Sequence, residues 1–230
     1  MVNYNENYNA KFAEMKEGMM AFVNEKLKGD EEKIGIMTTS AEKLKDAMPD
    51  PGLKEGSAAP DFTLKDTSGS EVTLSEELKE GPVVLVFYRG IWCPVCNMHL
   101  KALEAIVPTL KSDHKARIIA VTPQKPELTK KQLEDVAVSY TIYHDTDDSV
   151  AKAYGLYFEI DSELNTLYKE LGLDVEATNG EGRLGLPIPA TFVIAENGTV
   201  VAAQTDTNYL NRMKPDEIIA GLEAAVASAK

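Results

Sequence analysis

Cysteine is nearly absent from this 230-residue chain: there are two, three positions apart, in the stretch GIWCPVCNMHL from Gly90 to Leu100. Two thiols cannot staple a chain of this length, so the pair reads as catalytic or metal-binding. Histidine is almost as scarce, with three in all. His99 extends the pattern to Cys-x-x-Cys-x-x-His and makes structural zinc the rival reading. A closed zinc site needs four ligands, and neither His114 nor His144 sits in a ligand-spaced pair, so no metal and no cofactor is expected. Long apolar runs are missing as well; nothing approaches the roughly 20 residues that span a bilayer. The opening MVNYNENYNAKF lacks the apolar segment of a secretory signal, and a cytoplasmic location is expected. Basic residues are outnumbered 24 to 37, for a net charge of −13. Such a surface repels phosphate backbones and anionic lipid, so neither nucleic acid nor membrane is expected as a partner.

What is present is a strand–helix alternation behind a helical start. Phe12, Met15, Met19, Phe22 and Val23 recur at helical spacing, with Gly29 as a stop. Ile34, Met37, Ala41, Leu44 and Met48 repeat at a similar period, though Gly35 interrupts them. Two amphipathic helices cannot bury their stripes alone, so they pack on the main domain or on a second copy in a homodimer. MPDPGLKEGSAAP then reads as a connector, which divides the chain into an extension, residues 1–50, and a domain, residues 51–230. In that domain DFTLKDTSGSEVTL reads as two short strands around a turn, and VVLVFY and RIIAVT as buried core strands. Cys96, Leu100, Leu103, Val107 and Leu110 fall on one helical face. PELTKKQLEDVAVS and DDSVAKAYG read as helices, ATFVIAENGTVVAA as a hairpin about Asn197-Gly198, and PDEIIAGLEAAVASAK as a closing helix. The stretch from Tyr157 to Pro187 is expected to hold one helix, in FEIDSELNTLYKELGL, and a turn-rich segment. The alternation implies an α/β fold with a mixed sheet covered by helices on both faces.

The cysteines follow a core strand and open a helix. Backbone N–H groups at a helix start favour negative charge, so a thiol there ionises more readily. Pro94 suits the first helical turn, where its missing N–H costs nothing. Sulfurs three apart on a helix can close a disulfide. Cys96 lies in register with the leucine seam and is expected to be the more buried; Cys93, at the helix mouth behind Trp92, the more exposed. On exposure alone Cys93 attacks an incoming disulfide and Cys96 resolves it. His99 reads as a polar residue at the edge of the helix face, the alternative being a cation that helps ionise Cys96.

From about Gly52 onward these segments together resemble the peroxiredoxin (AhpC/TSA) family. GSAAPDFTLKDTSGSEVTLSE is similar to the family's opening hairpin, VVLVFYRGIWCPVC to its active-site strand and loop, YHDTDDSVAKAYGL to its Asp…Ala-Tyr-Gly segment, and PATFVIAENGTV to its closing strand pair. The resemblance implies a thioredoxin-like three-layer sandwich. It also implies a thiol oxidoreductase that takes a peroxide or a disulfide and is recharged by a thioredoxin-like or small-thiol reductant. Two departures stand out. The positions of the family's Pro-x-x-x-Thr-x-x-Cys carry Arg89, Cys93 and Cys96, so only the peroxidatic cysteine is kept, as Cys96. The arginine that the family places before its last core strand is Pro189, which looks like the cis-proline of thioredoxins. Arg89 and Arg183 are the candidates for the missing charge, the alternative being that both are surface residues. The scaffold thus resembles a peroxiredoxin and the site, with Trp92, Cys93, Pro94, Cys96 and Pro189, a thioredoxin.

Overall fold

A computed structural model of the chain describes residues 4–228. Two helices come first, α1 (Tyr4–Leu27) and α2 (Glu31–Ala47), the second capped by Asp30, whose side chain accepts the Lys33 N–H. A hairpin, β1 (Thr63–Asp66) and β2 (Glu71–Thr73), runs into the single turn α3 (Leu74–Glu77). Then β3 (Val83–Phe87) leads to α4 (Pro94–Glu104) and α5 (Val107–His114). Next come β4 (Arg117–Thr122), α6 (Pro126–Val136), β5 (Ile142–His144) and α7 (Ser149–Ala153). An excursion follows: β6 (Tyr157–Glu159), α8 (Ser162–Glu170), α9 (Val175–Asn179) and β7 (Gly185–Pro187). The hairpin β8 (Ala190–Ile194) and β9 (Val200–Thr205) and the helix α10 (Pro215–Ser228) close the chain.

Seven strands form one mixed sheet in the order β2-β1-β5-β4-β3-β8-β9. β3 is apolar at every position and so belongs where both faces are covered. It sits beside β4 in parallel, Leu85 opposite Ile119, and beside β8 antiparallel, Leu85 opposite Phe192. The period of two sends Val83, Leu85 and Phe87 to one face, where they meet Tyr154 and Phe192, and Val84 and Val86 to the other, where they meet Leu103, Leu110 and Leu222. Burying one such side chain contributes about 1.5–3 kcal/mol, so this strand anchors whatever follows it. Gly221 lets α10 approach the sheet: a Cβ there would lie 2.9 Å from that of Ala202.

The two leading helices pack on later elements of the same chain, α1 on α4 and α10, α2 on α8. Their apolar stripes therefore do not require a second copy, although Met20, Phe22 and Ile34 stay exposed. Gly35 sits within α2 without breaking it. The face expected to run unbroken from Cys96 to Leu110 is divided between α4 and α5, with Pro108 in the first turn of the second helix. The stretch after Tyr157 is more ordered than its turn-rich composition suggests: its ends pair as a small separate sheet, Phe158 opposite Leu186, around two helices.

Candidate active site

Five residues, Tyr88 to Trp92, join the end of β3 to Cys93, the N-cap of α4. Gly90 makes the bend, at a φ of 140°, and a Cβ there would lie 3.0 Å from Gln124 Oε1. That glutamine is the hub of a buried network. Its Oε1 accepts the Ile91 N–H at 2.7 Å, and its Nε2 donates to Thr129 Oγ1 at 2.6 Å and Gln132 Oε1 at 2.8 Å. Gln132 Oε1 also accepts from the Tyr88 hydroxyl at 2.9 Å, and its Nε2 donates to Asn97 Oδ1 at 2.6 Å. Asn97 Nδ2 returns to the Ile91 carbonyl at 2.7 Å. The loop is thus tied at both edges to α4 and α6 before any chemistry is considered.

Cys93 Sγ accepts the Cys96 N–H at 3.4 Å, so the two residues close the first turn of α4 around each other. Pro94 occupies that turn, as expected, with its ring exposed. The exposure contrast expected between the cysteines is absent: Cys93 is 2% exposed and Cys96 1%. Phe12, Met15 and Met19 of α1, together with Trp92, Tyr209 and Leu210, pack on the cluster that holds both sulfurs. Both thiols are free.

Their electrostatics differ sharply. Burial pushes the Cys96 thiol up, but the Cys93 thiol hydrogen bond, the Arg212 guanidinium, and the Arg89 backbone N–H and side chain outweigh it, bringing it down to about 6. Burial, reinforced by the Cys96 sulfur beside it, holds Cys93 well above the ordinary thiol range. Arg212 Nη2 lies 3.8 Å from Cys96 Sγ. This residue, in the loop between β9 and α10, carries no motif; its 116-residue separation from Cys96 hid it from sequence reading.

Of the two candidate arginines, Arg89 does stand at the pair, 5% exposed, its guanidinium 4.7 Å from the Tyr209 ring centre and 5.8 Å from that of Phe158. Arg183 does not: it bonds Asp148 at 2.7 Å and the carbonyls of Pro123 and Asn179. His99 is not at a helix edge but 2% exposed, with Nε2 on the Met213 carbonyl at 3.0 Å. Burial and the Arg212 charge depress its pKa to about 3, so it is neutral and ionises nothing. It fixes instead the loop that carries Arg212. No group of three or more His, Cys, Asp or Glu side chains suited to a metal occurs among the described residues.

Trp92 packs on Tyr168, ring centres 6.0 Å apart. Pro189 is buried directly before β8; since Ala190 pairs with Phe87, it lies at the sheet end where the cysteine loop begins. The described residues contain no cis peptide bond, so the thioredoxin-like isomer is not adopted there.

The comparisons agree with this architecture. The thiol-disulfide oxidoreductase ResA of Bacillus subtilis is 29% identical over 173 residues, covering 72% of this chain and 79% of that relative. Peroxiredoxin Bcp of Escherichia coli is 30% identical over 108 residues, covering 46% of this chain and 67% of that relative. The crystal structure of peroxidoxin BcpB from Mycobacterium tuberculosis matches with a TM-score of 0.56 at 22% identity, over 75% of this chain and 97% of that one, a likeness of fold. The model of the AhpC/TSA family matches residues 56–203, well over half of the chain, and the chain belongs to that family.

Proposed function

We propose that this thiol oxidoreductase reduces a peroxide with Cys96 as the attacking thiolate and Cys93 as the resolving thiol. One observation carries the reading: Cys96 Sγ lies 3.8 Å from a buried guanidinium, and its pKa is drawn down to about 6 while that of Cys93 is held high. The thiolate is the nucleophile, so at neutral pH Cys96 is the sulfur that is armed. A sulfur only 1% exposed also suits a small oxidant better than a bulky disulfide.

The steps balance. The Cys96 thiolate attacks the nearer peroxide oxygen and the O–O bond breaks. Sulfur is oxidised to a sulfenic acid, and the departing alkoxide or hydroxide takes a proton from solvent. The charge that had held the Cys93 proton in place is then gone. Cys93 attacks the sulfenic sulfur, its proton leaves with the hydroxyl as water, and the Cys93–Cys96 disulfide forms. A thioredoxin-like protein or a small thiol returns two electrons. Arg212 and Arg89 hold the thiolate, Trp92 and Pro94 shape the turn, and Pro189 forms the wall at the sheet end. Residues 1–50 serve as an extension that covers a site carried by residues 51–230. A reducing cytoplasm, which keeps the pair as a dithiol between turnovers, fits an antioxidant role.

A second reading is a disulfide reductase in which Cys93 attacks, favoured by the Cys-x-x-Cys turn at the α4 N-terminus. Stopped-flow reaction of the reduced protein with hydrogen peroxide separates the two. Cys96→Ser is expected to abolish the fast phase; Cys93→Ser is expected to keep it and to accumulate sulfenic acid. A Cys96→Ser protein as fast as the parent excludes Cys96 as the thiolate that attacks the peroxide.

A further inference from the structure

Beside the cysteine pair, with neither sulfur in its lining, lies a cavity of about 480 Å³. It falls within the roughly 300–1,000 Å³ of small-molecule sites. Met37 and Leu44 of α2, Phe158, Leu164, Tyr168 and Tyr209 make its walls apolar and aromatic. Arg89 also lines it, the one cation buried there. The Arg89 guanidinium rests against two aromatic rings, and its Nε is buried without a hydrogen-bond partner. A buried donor left unpaired is costly, and a guanidinium more so.

The nearby negative groups do not answer it. Asp161 at the rim is engaged by Ser40 at 3.1 Å and Lys43 at 3.9 Å. Glu159, also in the lining, accepts from the Tyr157 hydroxyl and forms no hydrogen bond or ion pair with Arg89. The Cys96 thiolate is a single charge facing two guanidiniums, those of Arg89 and Arg212. The Arg89 Nε is therefore left without an acceptor at the wall of a largely apolar chamber. A carboxylate matches the guanidinium fork, and a hydrocarbon or aromatic body matches the walls.

We propose that this cavity binds an apolar carboxylate, its head on the Arg89 guanidinium and its body between α2 and Tyr168. This goes beyond the redox reading and needs no turnover. Trp92, the chain's only tryptophan, packs on Tyr168 and so reports occupancy by its fluorescence. The test titrates decanoate, and separately decanol, into the reduced full-length protein, with calorimetry as a parallel readout. Saturable binding of decanoate is expected, about tenfold or more tighter than decanol, the scale of one charge-assisted contact. Arg89→Met is expected to erase that preference, and Ala41→Phe, which intrudes from α2, to weaken both ligands. Equal affinity for decanoate and decanol, absence of saturation by both readouts, or full binding in Ala41→Phe overturns the proposal. Should Arg89→Met fail to fold, the two ligands on the parent protein and Ala41→Phe decide alone. Because binding is read on the reduced protein, a negative peroxide assay leaves this result standing, and the converse holds.

Discussion

A thiol 1% exposed should resist ionisation, and Cys96 does not. The difference lies with neighbours that come from three separate parts of the chain: Cys93 on its own turn, Arg89 at the end of β3, and Arg212 after β9. The first two were visible in the sequence because they lie within seven residues of Cys96. The third was not, because nothing local distinguishes an arginine in NRMKPDE from a surface one. Its role gives a pH prediction. The folded-state pKa of Cys96 is depressed to about 6, below the unfolded thiol near 8.5. Its ionisation therefore adds stability that is complete above the unfolded pKa, shrinks as pH falls, and is lost through about 6. Thiolate absorbance at 240 nm is expected to titrate with a midpoint near 6. In Arg212→Met the midpoint should rise, cutting the thiolate fraction at pH 7 about tenfold, since an adjacent opposite charge shifts a pKa by roughly 1–3. An unmoved midpoint in that variant would show that Arg212 does not hold the anion. His99 offers a control, being neutral down to a pKa of about 3.

At the scale of elements, the cysteine turn is held less by its own helix than by the side-chain network beneath it. Gln132, on α6, accepts from Tyr88 and Gln124 and donates to Asn97, and it is fully buried. Gln132→Leu fills a similar space but takes one hydrogen bond from each of its three partners, Gln124 keeping that to Thr129. A loss of about 2–4 kcal/mol is expected from urea unfolding, because each buried polar group left unmatched costs about 1–3 kcal/mol. A loss below 1 kcal/mol would mean that the network relaxes without it. What sequence could show follows the same line. Elements with a strong local signal, such as β3 with its unbroken apolar run and α4 with its leucine seam, were legible. Gln124 and Gln132 looked like ordinary polar residues in a turn and on a helix, since their partners lie up to 44 positions away. Strands β5, β6 and β7 have three residues each, too few for a period to declare itself.

On the scale of the whole molecule, α1 changes the surroundings of the cysteine turn. The cysteine turn opens α4, and α1 packs on that helix. Phe12, Met15 and Met19 pack on the cluster that contains both sulfurs, and Tyr209, which stacks on Arg89, also donates to Met19 Sδ at 3.9 Å. A bulky disulfide is therefore expected to reach the pair only when α1 lifts. Of the apolar stripe read from the sequence, Phe12, Met15, Met19 and Val23 are partly buried while Phe22 stays exposed, and a stripe does not name the surface it covers. The linkage can be tested by loosening the contact while leaving the site intact. Met15→Ala with Met19→Ala removes side-chain volume from a partly buried face, enough to weaken closure by about 1–2 kcal/mol. Since about 1.4 kcal/mol is tenfold in an equilibrium, the open population should rise about tenfold. Reaction of the thiols with 5,5′-dithiobis(2-nitrobenzoate), a disulfide too bulky for the closed site, should accelerate by the same factor, while the hydrogen peroxide rate changes little. Equal acceleration of both reagents would place α1 on the path of every oxidant, and no acceleration of either would move the entrance to another face of the molecule.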